Sequence, residues 1–153
     1  MNTVLLTLCI IHEPNRVLLA MKKRGFGAGR WNGFGGKVEA GESIVDAALR
    51  ECLEEGGITP LDLTARGVLT FTFENRPEAL EVHLFGATTF EGEPTETEEM
   101  RPQWFAFDAI PFDAMWPDDR HWLPRFLSGE NLQGSFHFRD ENTLLSHELR
   151  RNI

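Results

Sequence analysis

The stretch GKVEAGESIVDAALRECLEEGGI, from Gly36 to Ile58, decides how this chain is read. A glycine-containing loop leads into a segment with helical periodicity from Ser43 to Glu55. Val45, Ala48, Leu49 and Cys52 stand at i, i+3, i+4 and i+7, which predicts a narrow apolar stripe packed on a sheet. Glu51, Glu54 and Glu55 repeat i, i+3, i+4 on what the wheel places as a different face, so three carboxylates crowd one patch of helix. Like charges at that spacing repel and call for a cation. Ligands that are all oxygen suit a hard ion, Mg²⁺ or Mn²⁺. Taken alone, the three glutamates also fit a solvated acidic face.

The flanks decide between the two. Gly35-Gly36 precedes the segment and Gly56-Gly57 follows it, and Ser43 with Asp46 three residues on forms a capping pair at the start. Gly36, Glu42, Arg50-Glu51, Glu54-Glu55, Gly57 and Ile58 fit G-x5-E-x7-R-E-U-x-E-E-x-G-U, where U is aliphatic and Cys52 is the one departure. This pattern resembles the Nudix box, and so many fixed positions at fixed spacing make a specific signal. The resemblance implies a metal-dependent hydrolase.

At 153 residues, the chain is read as a single domain over 1–153. With 41% hydrophobic and 25% charged residues its composition is that of a soluble globular protein. A formal net charge of −9 argues against a duplex nucleic-acid partner, which needs a basic footprint. It leaves a small nucleotide substrate open, since metal can bridge carboxylate to phosphate. Cys9 and Cys52, each among apolar neighbours, are expected as buried free thiols. The apolar run Val4–Ile11 is too short to span a bilayer and has no cationic segment before it. A cytoplasmic monomer without membrane attachment is expected.

Along the chain, Val4–Ile11 and Arg16–Met21 predict a hairpin around His12–Asn15. Trp31–Phe34, Arg66–Phe73, Leu80–Thr88 and Gln103–Phe107 read as strands, and Phe90–Glu99 and Ile110–Asp118 as loops. A second helix is expected over Asp119–Leu127, then a closing hairpin, Leu132–Phe138 with Thr143–Leu149. Strands interleaved with two helices give an α/β sandwich with a mixed β-sheet, and the Nudix resemblance implies the same α-β-α architecture.

Three further segments narrow the resemblance. Met21–Val38 (MKKRGFGAGRWNGFGGKV), Glu99–Phe105 (EMRP-WF) and Ile110–Asp119 (IPF--MWPDD) are similar to the eukaryotic-type oxidised-purine nucleoside triphosphatases of that family. That likeness implies hydrolysis of 8-oxo-dGTP to the monophosphate and pyrophosphate. It implies that Asn32, Asp118 and Asp119 bind the base edge and Trp116 stacks on the base. Thr7, Phe26, Phe71 and Phe73 match pocket-lining positions, and Lys22 one near the sugar-phosphate. The metal set it implies is Gly36 through its carbonyl, Glu51, Glu54, Glu55 and Glu99. Leu80 and Leu6 depart from the group's best-known member, which has Met and Tyr there, so the exact base preference stays open.

The residues carry chemistry of their own. A nucleoside triphosphate bears roughly three to four negative charges, and metal held by Glu51, Glu54 and Glu55 would neutralise it and lower the pKa of bound water. One carboxylate must act as general base, Glu55 rather than its rival Glu99. Arg50 can pair with Glu54 at i+4, or form a mere surface ion pair. Trp116-Pro117-Asp118-Asp119 sets a flat ring beside two carboxylates, and it also reads as a simple helix start. Two close carboxyls in a dry site share a proton, so one aspartate can donate as well as accept. Lys22-Lys23-Arg24 is either a solvated loop or a phosphate clamp. Other substrates of the same chemistry (an alkylated purine triphosphate, a dinucleotide, a capped RNA end) and a non-enzymatic nucleotide-binding module are the competing readings. The intact glutamates weigh against the last, and the absence of a basic surface against capped RNA.

Overall fold

The computed structural model describes residues 2–152. In chain order the strands and helices are β1 (Thr3–His12), β2 (Arg16–Lys22), β3 (Trp31–Asn32), β4 (Phe34–Lys37), α1 (Ile44–Gly56), β5 (Thr59–Pro60), β6 (Thr64–Phe73) and β7 (Arg76–Ala87). They continue with β8 (Phe90–Glu91), β9 (Met100–Ala106), α2 (Asp119–Leu127), β10 (Leu132–Asp140) and β11 (Thr143–Arg151). The main sheet runs β11-β10-β6-β7-β1-β2-β3, with β4 also on β1 and β9 also on β2. The β1/β7 and β6/β10 pairs are parallel and the others antiparallel, so the sheet is mixed as expected. The short β5 and β8 pair apart from it, which puts a strand inside the stretch Phe90–Glu99 that reads as loop.

The two helices lie over separate apolar clusters. Cys9, Ile11, Phe34, Ala48, Cys52 and Phe85 pack under α1, whereas Ile10, Leu84, Trp122, Leu123, Phe126, Phe136 and Phe138 pack with α2. Alternate residues of β1 and β7 therefore face opposite layers, as a strand's two-residue period requires. Both cysteines are buried and free. Among the described residues, no helix is long and apolar enough to cross a membrane.

The boundaries of α1 follow from its ends. Ser43 Oγ accepts from Asp46 N–H at 3.1 Å, satisfying one of the helix's free donors. At the other end Gly57 takes φ 70°, and the N–H groups of Gly57 and Ile58 close on the carbonyls of Leu53 and Cys52. The buried stripe keeps Ala48 and Cys52, with Leu49 half-buried, as the sequence suggests, but it is centred one residue earlier and leaves Val45 out. Ala47, Ala48, Cys52, Glu55 and Gly56 are buried, with Ile44 and Glu51 half-buried beside them, while Val45 is 48% exposed and Leu53 58%. Two of the three glutamates thus sit on the packed stripe and not on a separate face. Small residues make this phase possible: a Cβ on Gly56 would come within 2.8 Å of the Phe34 ring. The helix lies close enough to β4 that larger side chains are turned outward.

This phase gives opposite outcomes for two single changes on α1. Val45→Asp should stay within about 0.5 kcal/mol of the parent, as exposed substitutions do. Ala48→Asp, which buries an unpaired carboxylate under the sheet, should cost about 3 kcal/mol or more. Urea unfolding of both variants checks the assignment; a large loss in Val45→Asp alone would reverse it.

Candidate active site

One cavity, of about 170 Å³, runs between the sheet, the loop before β3 and the start of α2. Thr7, Lys22, Phe26, Asn32, Gly36, Glu55, Phe71, Phe73, Leu80, Trp116, Asp118 and Asp119 all line it, which is every base- and sugar-site residue expected from the sequence. Phe71 and Phe73, adjacent to core positions by pattern, stack on Phe136 and Phe138 and still reach the cavity. Leu8, Gly27, Gly33, Gly35, Val82 and Met100 line it as well. Their sequence gives no sign of this, because lining depends on which strands the curled sheet brings opposite one another.

One end of the cavity is acidic and dry. Asp118 and Asp119 are each 3% exposed. Asp118 occupies the N-cap position of α2 but makes no capping hydrogen bond; its Oδ2 instead accepts from the Trp122 indole N–H at 2.8 Å. Asp119 Oδ2 has no hydrogen-bond partner, and neither does Thr7 Oγ1. A plain helix start would use these oxygens on backbone N–H groups, so that reading fails to account for them. Burial pushes the Asp118 carboxyl up to about 6, against the opposing pull of the Trp122 hydrogen bond. Burial, reinforced by the Asp118 charge, pushes Asp119 well above the carboxylate range. Both effects favour the protonated form of Asp119, in which it can donate as well as accept. Asn32 engages its Oδ1 with the Gly33 N–H at 2.9 Å, which leaves its NH₂ group for a ligand. The partner Trp122 lies four residues after Asp118, so helical spacing could have revealed it.

The opposite end is built by α1 and β4. Glu55 is 8% exposed, and its Oε1 accepts from the Gly35 N–H at 2.9 Å. Burial, opposed by the Gly35 hydrogen bond and reinforced by the Glu51 charge, raises the Glu55 carboxyl to about 8. Glu51 is raised too, chiefly by burial, with Arg50 pulling the other way. Gly36 sits directly on Glu51: a Cβ there would lie 2.7 Å from the carboxyl carbon. Arg50 gathers the rest. It donates to both oxygens of Glu42 at 2.7 and 3.0 Å, to Glu51 at 2.6 Å, to Glu54 at 3.3 Å and to the Lys37 carbonyl at 3.1 Å. The i+4 contact with Glu54 is thus the weakest of its bonds, and Glu42, recognised in the sequence only as part of a pattern, is its main partner.

Of the expected catalytic and metal-site residues, Gly36 and Glu55 line the cavity, Arg50, Glu51 and Glu54 stand behind it as one bonded group, and Glu99 is engaged elsewhere. Glu99 does not line the cavity; its carboxylate pairs with Arg24 at 2.9 Å. Glu54 is turned outward, with its side chain 59% exposed. Of the cationic cluster Lys22–Arg24, Lys22 alone faces the cavity, because Lys23 pairs with Glu96 and Arg24 with Glu98 and Glu99. Among the described residues no three His, Cys, Asp or Glu side chains stand at metal-holding geometry. The donor set nonetheless suits a hard divalent cation. The buried Glu55 and half-buried Glu51 carboxyls meet, the β4 backbone comes close for want of a Cβ, and exposed Glu54 stands beside them, bonded to Arg50.

The raised acids have a consequence for stability. An unfolded Glu titrates at about its ordinary value, 4.5, whereas folded Glu55 holds its proton to about 8. Between those limits the folded chain binds the extra proton, so metal-free stability falls as pH rises through this window. The melting temperature in chelator should therefore drop between about pH 5.5 and 8, and Glu55→Gln should flatten that slope. Added Mg²⁺ should stabilise more at the upper pH, where no proton has to be displaced. A metal-free melting temperature that climbs with pH across the window would contradict the arrangement.

Known proteins share both the pattern and the fold. The NUDIX domain family profile matches residues 3–126. The oxidized purine nucleoside triphosphate hydrolase of Mus musculus is 54% identical over 146 residues, covering 95% of this chain and 94% of its own. Its namesake from Danio rerio is 52% identical over 145 residues, covering 95% and 93%. The crystal structure of the mutator MutT protein from Bacillus halodurans superposes with a TM-score of 0.81 at 30% identity, covering 95% of this chain and 97% of that one. Helix α1 with its glutamates, the mixed sheet and these likenesses agree, and the chain belongs to the Nudix family of hydrolases.

Proposed function

We propose that this protein hydrolyses oxidised purine nucleoside triphosphates such as 8-oxo-dGTP to the monophosphate and pyrophosphate, and so cleanses the nucleotide pool. The observation that carries the reading is the joining, in one cavity, of a buried aspartate pair with an unpartnered oxygen to the buried glutamate of the family's acidic helix. The names of the mouse and zebrafish relatives support it.

In this reading the base lies against Trp116 at the dry end. Oxidation at C8 of guanine turns the N7 acceptor into an N–H donor beside a new carbonyl. Ionised Asp118 accepts from the purine edge, neutral Asp119 donates to a carbonyl, and the Asn32 NH₂ adds a second donor. Unmodified guanine lacks the N7–H and so leaves a buried acceptor unpaired, which is the costly case in a dry pocket. Phe26, Phe71, Phe73, Thr7 and Leu80 shape the slot, and Lys22 meets the sugar-phosphate.

Nudix hydrolases generally depend on a divalent metal; here Mg²⁺ (or Mn²⁺) would be held by Glu51, Glu54, Glu55 and the Gly36 carbonyl, with Glu99 joining if it leaves Arg24. Bound there, the metal supplies charge neutralisation and a more acidic water. Glu55 Oε1 is fixed by Gly35, which leaves Oε2 to take the proton of the attacking water as its oxygen bonds to phosphorus and pyrophosphate departs. Arg50 holds Glu51 and Glu54 in place and does not itself line the cavity.

Steady-state kinetics on 8-oxo-dGTP and dGTP, side by side, tests the reading. Asp118→Asn should raise KM for 8-oxo-dGTP roughly ten- to a hundredfold, and much less for dGTP, as for a lost hydrogen bond to a charged group, and Asp119→Ala, which removes the donor that Asn would keep, should act in the same direction. KM for 8-oxo-dGTP should also climb as pH falls below about 6, where Asp118 takes a proton. Glu55→Gln should lower kcat by about 10²–10⁴-fold, and Mg²⁺ or Mn²⁺ but not Zn²⁺ should support full turnover. Equal losses on both substrates in the aspartate variants would leave a Nudix hydrolase with another substrate.

A further inference from the structure

The Trp116 ring has a second partner that the cavity does not see. The Arg30 guanidinium lies 4.5 Å over the ring centroid, yet Arg30 is not among the residues lining the cavity. It therefore covers the indole face turned away from the pocket. Arg30 is not free to move there. Its Nη1 donates to the Glu141 carbonyl at 2.8 Å and its Nη2 to Asn142 Oδ1 at 2.7 Å, both in the turn between β10 and β11. A planar fork with both ends pinned fixes the plane that stacks on the ring. Around the rest of the indole, Phe26 is tilted at 5.0 Å, Phe73 and Phe138 meet it edge-on at 6.3 and 6.1 Å, and Gly27 leaves its Nε1 edge uncrowded. Arg30 alone among these stacks a charged plane on the ring face.

We propose that Arg30 is a positioning residue for base recognition: anchored by the β10–β11 turn, it holds Trp116 from behind at the angle the base needs. This rests on the reading of the cavity as a base site. Arg76 gives an internal comparison. It lies 4.5 Å over the Phe26 ring, but its tether is an ion pair with Glu78 at 3.7 Å. Two cations thus lie against the aromatic wall, and of the two Arg30 alone is pinned by a distant turn.

The test is a cycle of R30M, R30K, R76M, W116A and the R30M/W116A double variant, assayed for KM and kcat on 8-oxo-dGTP with melting temperatures recorded. R30M keeps length and loses charge and fork. It should raise KM about fivefold, the size of a partly shielded cation–π contact, with kcat within about twofold because binding is weakened evenly. R30K should recover part of the loss, since an ammonium retains charge but cannot bond both turn acceptors in one plane. R76M should stay within about twofold of the parent. In the W116A background R30M should add little when assayed at pH 8, where Asp118, whose carboxyl the Arg30 charge also pulls down, is ionised with or without it. If W116A weakens binding but R30M does not, or if R30M acts in full without Trp116, or if R76M matches R30M, the positioning role is overturned and the base site stands. If W116A binds 8-oxo-dGTP like the parent, the base-site reading falls, and the role of Arg30 with it.

Discussion

The active end of this protein depends on one arginine. Arg50 sits with its side chain 22% exposed, among Glu42 at 15% and Glu51 at 13%, and bonds three carboxylates and a backbone carbonyl. The fork on Glu42 ties the loop after β4 to the middle of α1, and the same guanidinium holds Glu51 against Gly36. A bidentate charge-assisted pair fixes direction as well as distance. Without it the glutamates of α1 would repel one another along the helix and lose their relation to β4. Glu55, one turn further on, is positioned from the other side by the Gly35 N–H.

That frame lets the molecule keep acids where acids are costly. Glu55 at one end of the cavity, and Asp118 with Asp119 at the other, are almost wholly withdrawn from water. Each site lowers the cost in its own way. Asp118 has the Trp122 indole, Glu55 has a backbone amide, and Asp119 is pushed toward its neutral form by burial and the Asp118 charge. A cavity that is acidic at both ends and aromatic along its walls suits a ligand with a polar planar head and a highly charged tail brought in with a cation. The fold serves this by supplying the two ends from different layers, α1 below the sheet and the start of α2 above it.

Much of this was legible in the residues. The spacing of Glu51, Glu54 and Glu55, the caps at Ser43 and Gly57, and the run Trp116–Asp119 are local patterns, and the helices they predict are present. The mixed sheet between two helices also follows from where the apolar runs fall. The phase of α1 did not follow. Val45 and Ala47 are both apolar and both compatible with a stripe, and only the close approach of β4, where Phe34 meets Gly56, turns Val45 outward. The role of Glu42 as the main partner of Arg50 was hidden as well, since a loop residue has no periodicity to show which way it points.

What the sequence determined by itself is the chemistry held within one helical turn or one strand: which acids lie together on α1, where that helix starts and stops, and that a flat ring adjoins two carboxyls. Backbone hydrogen bonding imposes those relations at short range whatever the rest of the chain does. Tertiary structure alone decided which acids lose their water, which oxygen of Asp119 is left without a partner, and that Glu99 faces Arg24. It also decided that Arg30 reaches a turn 111 residues away to grip a ring it does not adjoin in sequence. Burial and long-range pairing depend on how the layers close over one another, and no local spacing encodes that closure.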